Sequence, residues 1–150
     1  MSGSRTPYSE ASSDIAARDE ITKLLRRFGC AQIGFADDYR TGEVLVAFQH
    51  RGRRMQLRAS AQGWAARYLK EHPYNYRIKR TEAQYRESAL SQGQIAVNSI
   101  LRDWIKGQIM AIETGILSFD AVVMPYMITN DVRTIAERAD QLGLLPGSAA

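Results

Sequence analysis

The spacing of hydrophobic positions changes twice along this chain. Ile21, Leu24, Leu25 and Phe28 recur at i, i+3, i+4 and i+7, which predicts an amphipathic helix over residues 14–28. Arg26 and Arg27 fall in its last turn, where cations suit the helix dipole, and Gly29 follows as a left-handed stop. The period then drops to two. Ile33 and Phe35 alternate with smaller residues up to a turn-rich stretch, Asp37-Asp38-Tyr39-Arg40-Thr41-Gly42. Val44, Val46 and Phe48 share one side of the next strand, and His50-Arg51-Gly52-Arg53 forms a second tight turn. Met55 and Leu57 alternate with Arg54, Gln56 and Arg58. This is the pattern of a three-stranded antiparallel meander with one apolar and one polar face, and the third strand's polar face is basic.

Helical spacing returns after Ser60, a cap for a short helix over 61–71 with Trp64, Ala65, Tyr68 and Leu69 on one face. His72-Pro73 stops it. Residues 73–80, Pro-Tyr-Asn-Tyr-Arg-Ile-Lys-Arg, read as an aromatic and basic connector. Thr81 and Gln84 then match a capping box. Ile95 and Val97 precede the series Ile100, Leu101, Trp104, Ile105, Ile109, Ile112 and Ile116, uninterrupted by proline, so a helix of about 30 residues and about 45 Å is expected. Gly93 and Gly107 are points of weakness or close packing within it, and Gly115 is its stop. Ser118 caps a short helix that Pro125 bends or ends, Asn130-Asp131 is a turn, and Thr134 with Glu137 opens a last helix ending at Gly143.

The predicted order is helix, meander, short helix, long helix and C-terminal short helices, an α+β domain over residues 13–143. Residues 1–12 read as a disordered arm and 144–150 as a tail. A small sheet offers only about 15–20 Å along each strand, less than half the long helix. The surplus apolar stripe is expected to meet the tail helices or a second subunit, which predicts a homo-oligomer.

Composition narrows the class without naming an activity. With 150 residues, 45% hydrophobic and 24% charged, the chain has material for one folded core, which argues against disorder throughout. No apolar run reaches about 18 residues, and the first 13 lack the apolar core of a signal peptide. The single Cys30 cannot close an internal disulfide, so an intracellular location is expected. Charge is distributed unevenly. Residues 1–50 carry a net −1, residues 51–106 a net +8, and residues 107–150 a net −3. The basic middle third is either a polyanion-facing surface or a solvated helix face.

Catalytic signatures are missing. The two histidines, His50 and His72, have no metal-ligand partner at i+3 or i+4, and no phosphate loop, dinucleotide fingerprint or nucleophile elbow occurs. Asp37-Asp38 suits a turn better than a metal. Cys30 follows a helix C-terminus, whose negative end raises a thiol pKa, and it reads as a small core residue. Glu113, inside the apolar run, reads as solvent-facing or capping. Trp64 and Trp104 read as core anchors. The expectation is a non-enzyme with no cofactor and no metal. The positive constellation is Arg51, Arg53, Arg54 and Arg58, with Arg77, Lys79, Arg80 and Arg86 around the connector. Guanidinium groups neutralise phosphates and stack on bases, and Tyr74 and Tyr76 interleave with them as stacking platforms would. No base-reading motif is present, so backbone binding without sequence preference is the form these residues suit.

Two resemblances add to this reading. Arg102-Asp103-Trp104-Ile105-Lys106-Gly107-Gln108, the stretch Ala111-Ile112-Glu113-Thr114-Gly115-Ile116-Leu117-Ser118-Phe119-Asp120, a later turn before Thr134, and Arg51-Gly52-Arg53-Arg54 resemble a family of small proteins encoded in bacteriophage and prophage genomes. The likeness covers most of residues 20–140 and implies the cytoplasm of a bacterial host, but it carries no established activity. At the level of architecture alone, the helix ending in Phe28-Gly29, the meander and the long helix are similar to single-strand annealing proteins of recombination. Those form rings or filaments and hold single-stranded DNA in a basic groove, and their basic helix start is matched by Arg80 and Arg86. The same element order resembles double-stranded RNA-binding domains, but the helix over 61–71 lacks their basic start. The expected function is single-stranded nucleic-acid binding, DNA ahead of RNA, by a homo-oligomer acting in annealing. The alternative is a phage interaction protein that modulates a host defence or regulatory complex.

Overall fold

The computed structural model describes residues 6–147. Its elements are α1 (Asp14–Phe28), β1 (Ala31–Asp38), β2 (Glu43–His50), β3 (Arg53–Ser60), α2 (Ala61–Glu71), α3 (Glu82–Glu113), α4 (Phe119–Val123), a 3-10 turn (Met124–Tyr126) and α5 (Ile135–Gln141). The fold is α+β, with a three-stranded antiparallel sheet in the order β1-β2-β3.

Local chemistry sets most boundaries. Ser13, Ser60 and Ser118 cap α1, α2 and α4 by accepting a backbone N–H, while Thr81 and Thr134 form complete capping boxes with Gln84 and Glu137. Asp38 accepts the N–H groups of Arg40 (2.9 Å) and Thr41 (3.3 Å) and so closes the first hairpin turn. Arg51 and Gly52 make the second, both at positive φ (53° and 76°), as a two-residue turn matched to strand twist requires. Asp37, the other half of that acidic pair, takes an ion pair from Arg18 at 2.7 Å.

The sheet separates its side chains cleanly. Phe35, Val46 and Leu57 lie abreast on one face, as do Phe48 and Met55, and this face meets the helices. Gly34, Ala47 and Gln56 lie abreast on the other, with Ala36, Leu45 and Arg58 in the next such row. On the helical side, Ile105 and Ile109 of α3 join Ile21, Leu24 and Leu25 of α1 and the strand residues in the larger core. A smaller core gathers Val44, Ala61, Trp64, Ala96 and Val97 where α2 meets the first half of α3. Gly93 permits that approach, because a Cβ there would sit 2.7 Å from the carbonyl oxygen of Ala61.

Two expectations require correction. The first concerns the arm. Residues 1–5 lie outside the described residues, but residues 6–12 pack as a strap across α2 and α3. Thr6 is 1% exposed and its hydroxyl donates to Glu71. Trp64 Nε1 donates to the Pro7 carbonyl at 2.8 Å, Tyr8 donates to Asp103, and Gln92 Nε2 donates to the Ala11 carbonyl at 2.8 Å. Serine-rich composition suggests freedom, but hydrogen-bond partners from distant parts of the chain hold the segment down. The second concerns cover for the long helix. Its stripe meets α1 as well as the sheet, and α2 on its first half, so Ile105 and Ile109 are buried and Leu101, Trp104 and Ile112 are partly so. Exposed apolar side chains remain at Met110 (56%) in its last turn and, in the segment that follows it, at Ile116 (74%), Leu117 (47%) and Met124 (43%). At the C-terminus, residues 144–147 form no helix or strand, and 148–150 lie outside the described residues.

Candidate nucleic-acid interface

The ten residues singled out by charge and aromaticity do not form one surface. They fall into three groups along α3, whose 32 residues span about 48 Å.

The first group sits at the β2–β3 turn, beside the end of α3, and serves the fold. Arg53 pairs with Asp120 at 3.1 Å and lies 3.8 Å from the Met127 sulfur. The Arg51 guanidinium lies over the Phe119 ring, 5.8 Å from its centre. Phe119 in turn packs on His50 (4.8 Å) and near Phe28 (6.1 Å). These two arginines therefore fasten α4 to the hairpin. Cys30 is buried 3.9 Å from His50 Nδ1, and burial pushes its thiol up to about 11, so it is protonated at neutral pH. The expected direction is right, but desolvation is the cause rather than the helix dipole.

The second group, Arg54 and Arg58, projects from the open sheet face. Arg54 sits across from Gln49 and forms no ion pair among the described residues. Arg58 reaches Glu43 at 4.0 Å, with both side chains substantially exposed. It also lies near Glu137, whose carboxyl is held below its usual value chiefly by the Thr134 backbone N–H, with Arg58 contributing.

The third group caps the α2–α3 hairpin. Residues 67–86 hold six Lys or Arg against two Glu. Tyr74 folds inward, donating its hydroxyl to the Arg80 carbonyl and packing 5.7 Å from Tyr85. Tyr85 donates to the His72 carbonyl at 2.6 Å. Those two bonds give the connector a defined shape without a strand or helix. Tyr76, by contrast, is 86% exposed, with the Arg77 guanidinium 5.8 Å from its ring centre. Arg77 and Lys79 form no ion pair among the described residues. Arg80 is steered by Ser88, and among the described residues Arg86 pairs only with Glu82, one helical turn back, in an exposed contact at 3.6 Å.

Tyr68, Tyr85, Ser88 and Gln92 were not anticipated as site residues. Tyr85, Ser88, Ala89 and Gln92 stand at i, i+3, i+4 and i+7, one face of α3. That spacing was visible in the sequence, but what faces it was not.

Among the described residues no three His, Cys, Asp or Glu side chains gather as a metal centre needs, and no helix is long and apolar enough to cross a membrane. Glu113 is half-exposed and 3.6 Å from Arg27. No protein-family model, curated protein or solved structure matches the chain.

Proposed function

We propose that this protein binds single-stranded nucleic acid, without catalysis, at the tip of the α2–α3 hairpin. One observation carries the reading. Tyr76, almost fully exposed, has the Arg77 guanidinium beside it on the connector that also carries Lys79 and Arg80 and leads into Arg86, and among the described residues these cations form no ion pair or only an exposed one. An exposed ring gains nothing for the fold, whereas an unpaired base can stack on it while the cations neutralise adjacent phosphates. Duplex DNA hides its base faces, so a single strand is the better fit. Arg54 and Arg58 supply a secondary contact on the sheet face. Binding of this kind is independent of sequence, which suits coating or annealing in a phage-type recombination step.

The test is a polarisation titration of labelled single-stranded DNA and RNA at several salt concentrations. Four phosphate contacts give a log–log slope near −2.8, at about −0.7 per contact. Substituting Tyr76, Arg77 and Lys79 together by Ala should weaken binding at least tenfold and flatten the slope. Absence of binding at low salt to either strand would refute the proposal. Self-association belongs to the same reading, through Met110 in the last turn of α3 and the exposed Ile116, Leu117 and Met124 that follow it. Light scattering should give a mass above the 16.8 kDa protomer. A monomer, free and with DNA, removes self-association from the proposal and leaves the binding site standing.

A further inference from the structure

Beside the hairpin tip, between the strap, α2 and α3, lies a cleft of about 220 Å³. It is smaller than the roughly 300–1,000 Å³ typical of pockets for drug-sized ligands, so it suits a single ring system. Tyr68 and Tyr85 contribute aromatic surface, and the buried Ala89 leaves room where a longer side chain would fill the space. Tyr68 is fixed between Trp64 (5.4 Å) and His72 (4.5 Å), so the cleft keeps its shape without a ligand.

The polar groups are equally well defined. Ser88 accepts from Arg80 at 2.6 Å, which leaves its own hydroxyl proton to donate. Gln92 gives one amide N–H to the Ala11 carbonyl, which orients the group and leaves its carbonyl oxygen to accept. The cleft thus combines an aromatic wall with a positioned donor and a positioned acceptor. Arg80 links it to the tip cations, with guanidinium N–H groups that Ser88 does not use.

We infer that this cleft takes one unpaired base of a bound strand, with Ser88 and Gln92 meeting its hydrogen-bonding edge and Arg80 the adjoining phosphate. The inference rests on the single-stranded reading above and adds a base-binding subsite distinct from the Tyr76 platform. The strap is then part of the site, because Ser9 lines the cleft and Ala11 orients Gln92.

The experiment compares an oligodeoxynucleotide with an abasic strand of the same length. The Tyr76→Ala variant, which keeps only the cleft, should prefer the base-bearing strand by about tenfold, the scale of one base stacked on an aromatic side chain, and wild-type protein, which has both subsites, should prefer it by more. Ser88→Leu, which fills the cleft from an exposed helical position, should abolish the preference retained by Tyr76→Ala when the two substitutions are combined. Ser88→Ala, which removes the Arg80 hydrogen bond but leaves the space open, should retain at least half of it. A circular-dichroism melt verifies that each variant is folded. Equal binding of both strands by Tyr76→Ala, or a full preference in the combined variant, overturns the cleft assignment while single-strand binding stands. No binding of either strand by wild-type protein overturns both.

Discussion

The β2–β3 turn and the α2–α3 tip are both arginine-bearing turns between amphipathic elements, yet they use arginine in different ways. At the β2–β3 turn a later segment of chain arrives on top. Asp120 takes Arg53 and Phe119 takes Arg51, so the charges are consumed in fastening α4. At the α2–α3 tip, among the described residues, the only ion pairs are within single helices, Arg67 with Glu71 and Arg86 with Glu82, and no acidic group from elsewhere in the chain meets the cations. Arg77 leans on Tyr76, itself exposed, and Arg86 finds only a neighbour on its own helix. The acidic C-terminal third folds back along β3, where Ile128 donates to the Arg54 carbonyl at 2.8 Å, and so reaches the hairpin rather than the tip. Arginines of one formal charge therefore differ in availability because of where the acidic segment packs. Counting charge along a sequence does not separate the two cases.

The largest effect that sharpens this contrast is at the joint between the regions. Gly93→Ala places a Cβ 2.7 Å from the Ala61 backbone oxygen, and backbone cannot step aside cheaply. Despite alanine's better helix propensity, roughly 1–3 kcal/mol of stability should be lost in urea denaturation. An unchanged midpoint would mean that α2 and α3 are less tightly joined than their geometry implies. Next comes Arg53→Ala. Its pair with Asp120 is about half-exposed, so the expected loss is roughly 0.2–1 kcal/mol, with affinity for single strands unchanged. A fall in affinity at constant stability would break the comparison, since it would make the hairpin a binding element.

Acid should act on the strap, selectively and to a smaller degree. Asp103 is held below its ordinary 3.8, chiefly by hydrogen bonding from Arg102 and then from Tyr8, and Glu71 below its ordinary 4.5, chiefly by the Thr6 hydroxyl. Groups with lowered folded values stabilise the fold above their unfolded values and lose that contribution as pH falls through the folded ones. The strap should therefore be fully held above about pH 4.5 and loosen below pH 3.8. Proteolysis by an acid-active protease, sampled across pH 3–5, should show cleavage at residues 6–12 before the rest. Simultaneous cleavage throughout would show that these anchors add nothing of their own. The smallest effect is expected from replacing Arg54 and Arg58 together by Ala. The melting temperature should move by no more than about 2 °C, because the one ion pair lost is long and exposed. Affinity should drop less than with the tip variant. A drop larger than the tip's would shift the principal site to the sheet.

Much of the fold was legible locally. The end of α1 at Gly29, the two hairpin turns, the Ser60 cap and both capping boxes each depend on a few adjacent residues, and each occurs where the sequence implies. The alternation that places Met55 and Leu57 inward and Arg54 and Arg58 outward is likewise a property of the strand itself. The strap was not legible, since nothing in Thr6-Pro7-Tyr8-Ser9 names Glu71, Trp64 or Asp103 as partners. The cleft at Tyr85, Ser88 and Gln92 was half-legible. Helical spacing placed those residues on one face, while the wall opposite comes from α2 and the strap.

By itself, then, the sequence determined the elements, their ends, the polarity of each face and the existence of a strongly basic middle third. Those follow from backbone stereochemistry, capping chemistry and side-chain periodicity, which act over one to seven residues. Tertiary structure decided which arginines are spent and which are free, that α1 and α2 cover most of the long helix, and that a serine-rich leader becomes a wall of a cleft. Those outcomes depend on contacts between residues far apart in the chain, as between Ala61 and Gly93, Arg53 and Asp120 or Thr6 and Glu71. Contacts at that separation follow from how whole elements pack, and local pattern does not encode them.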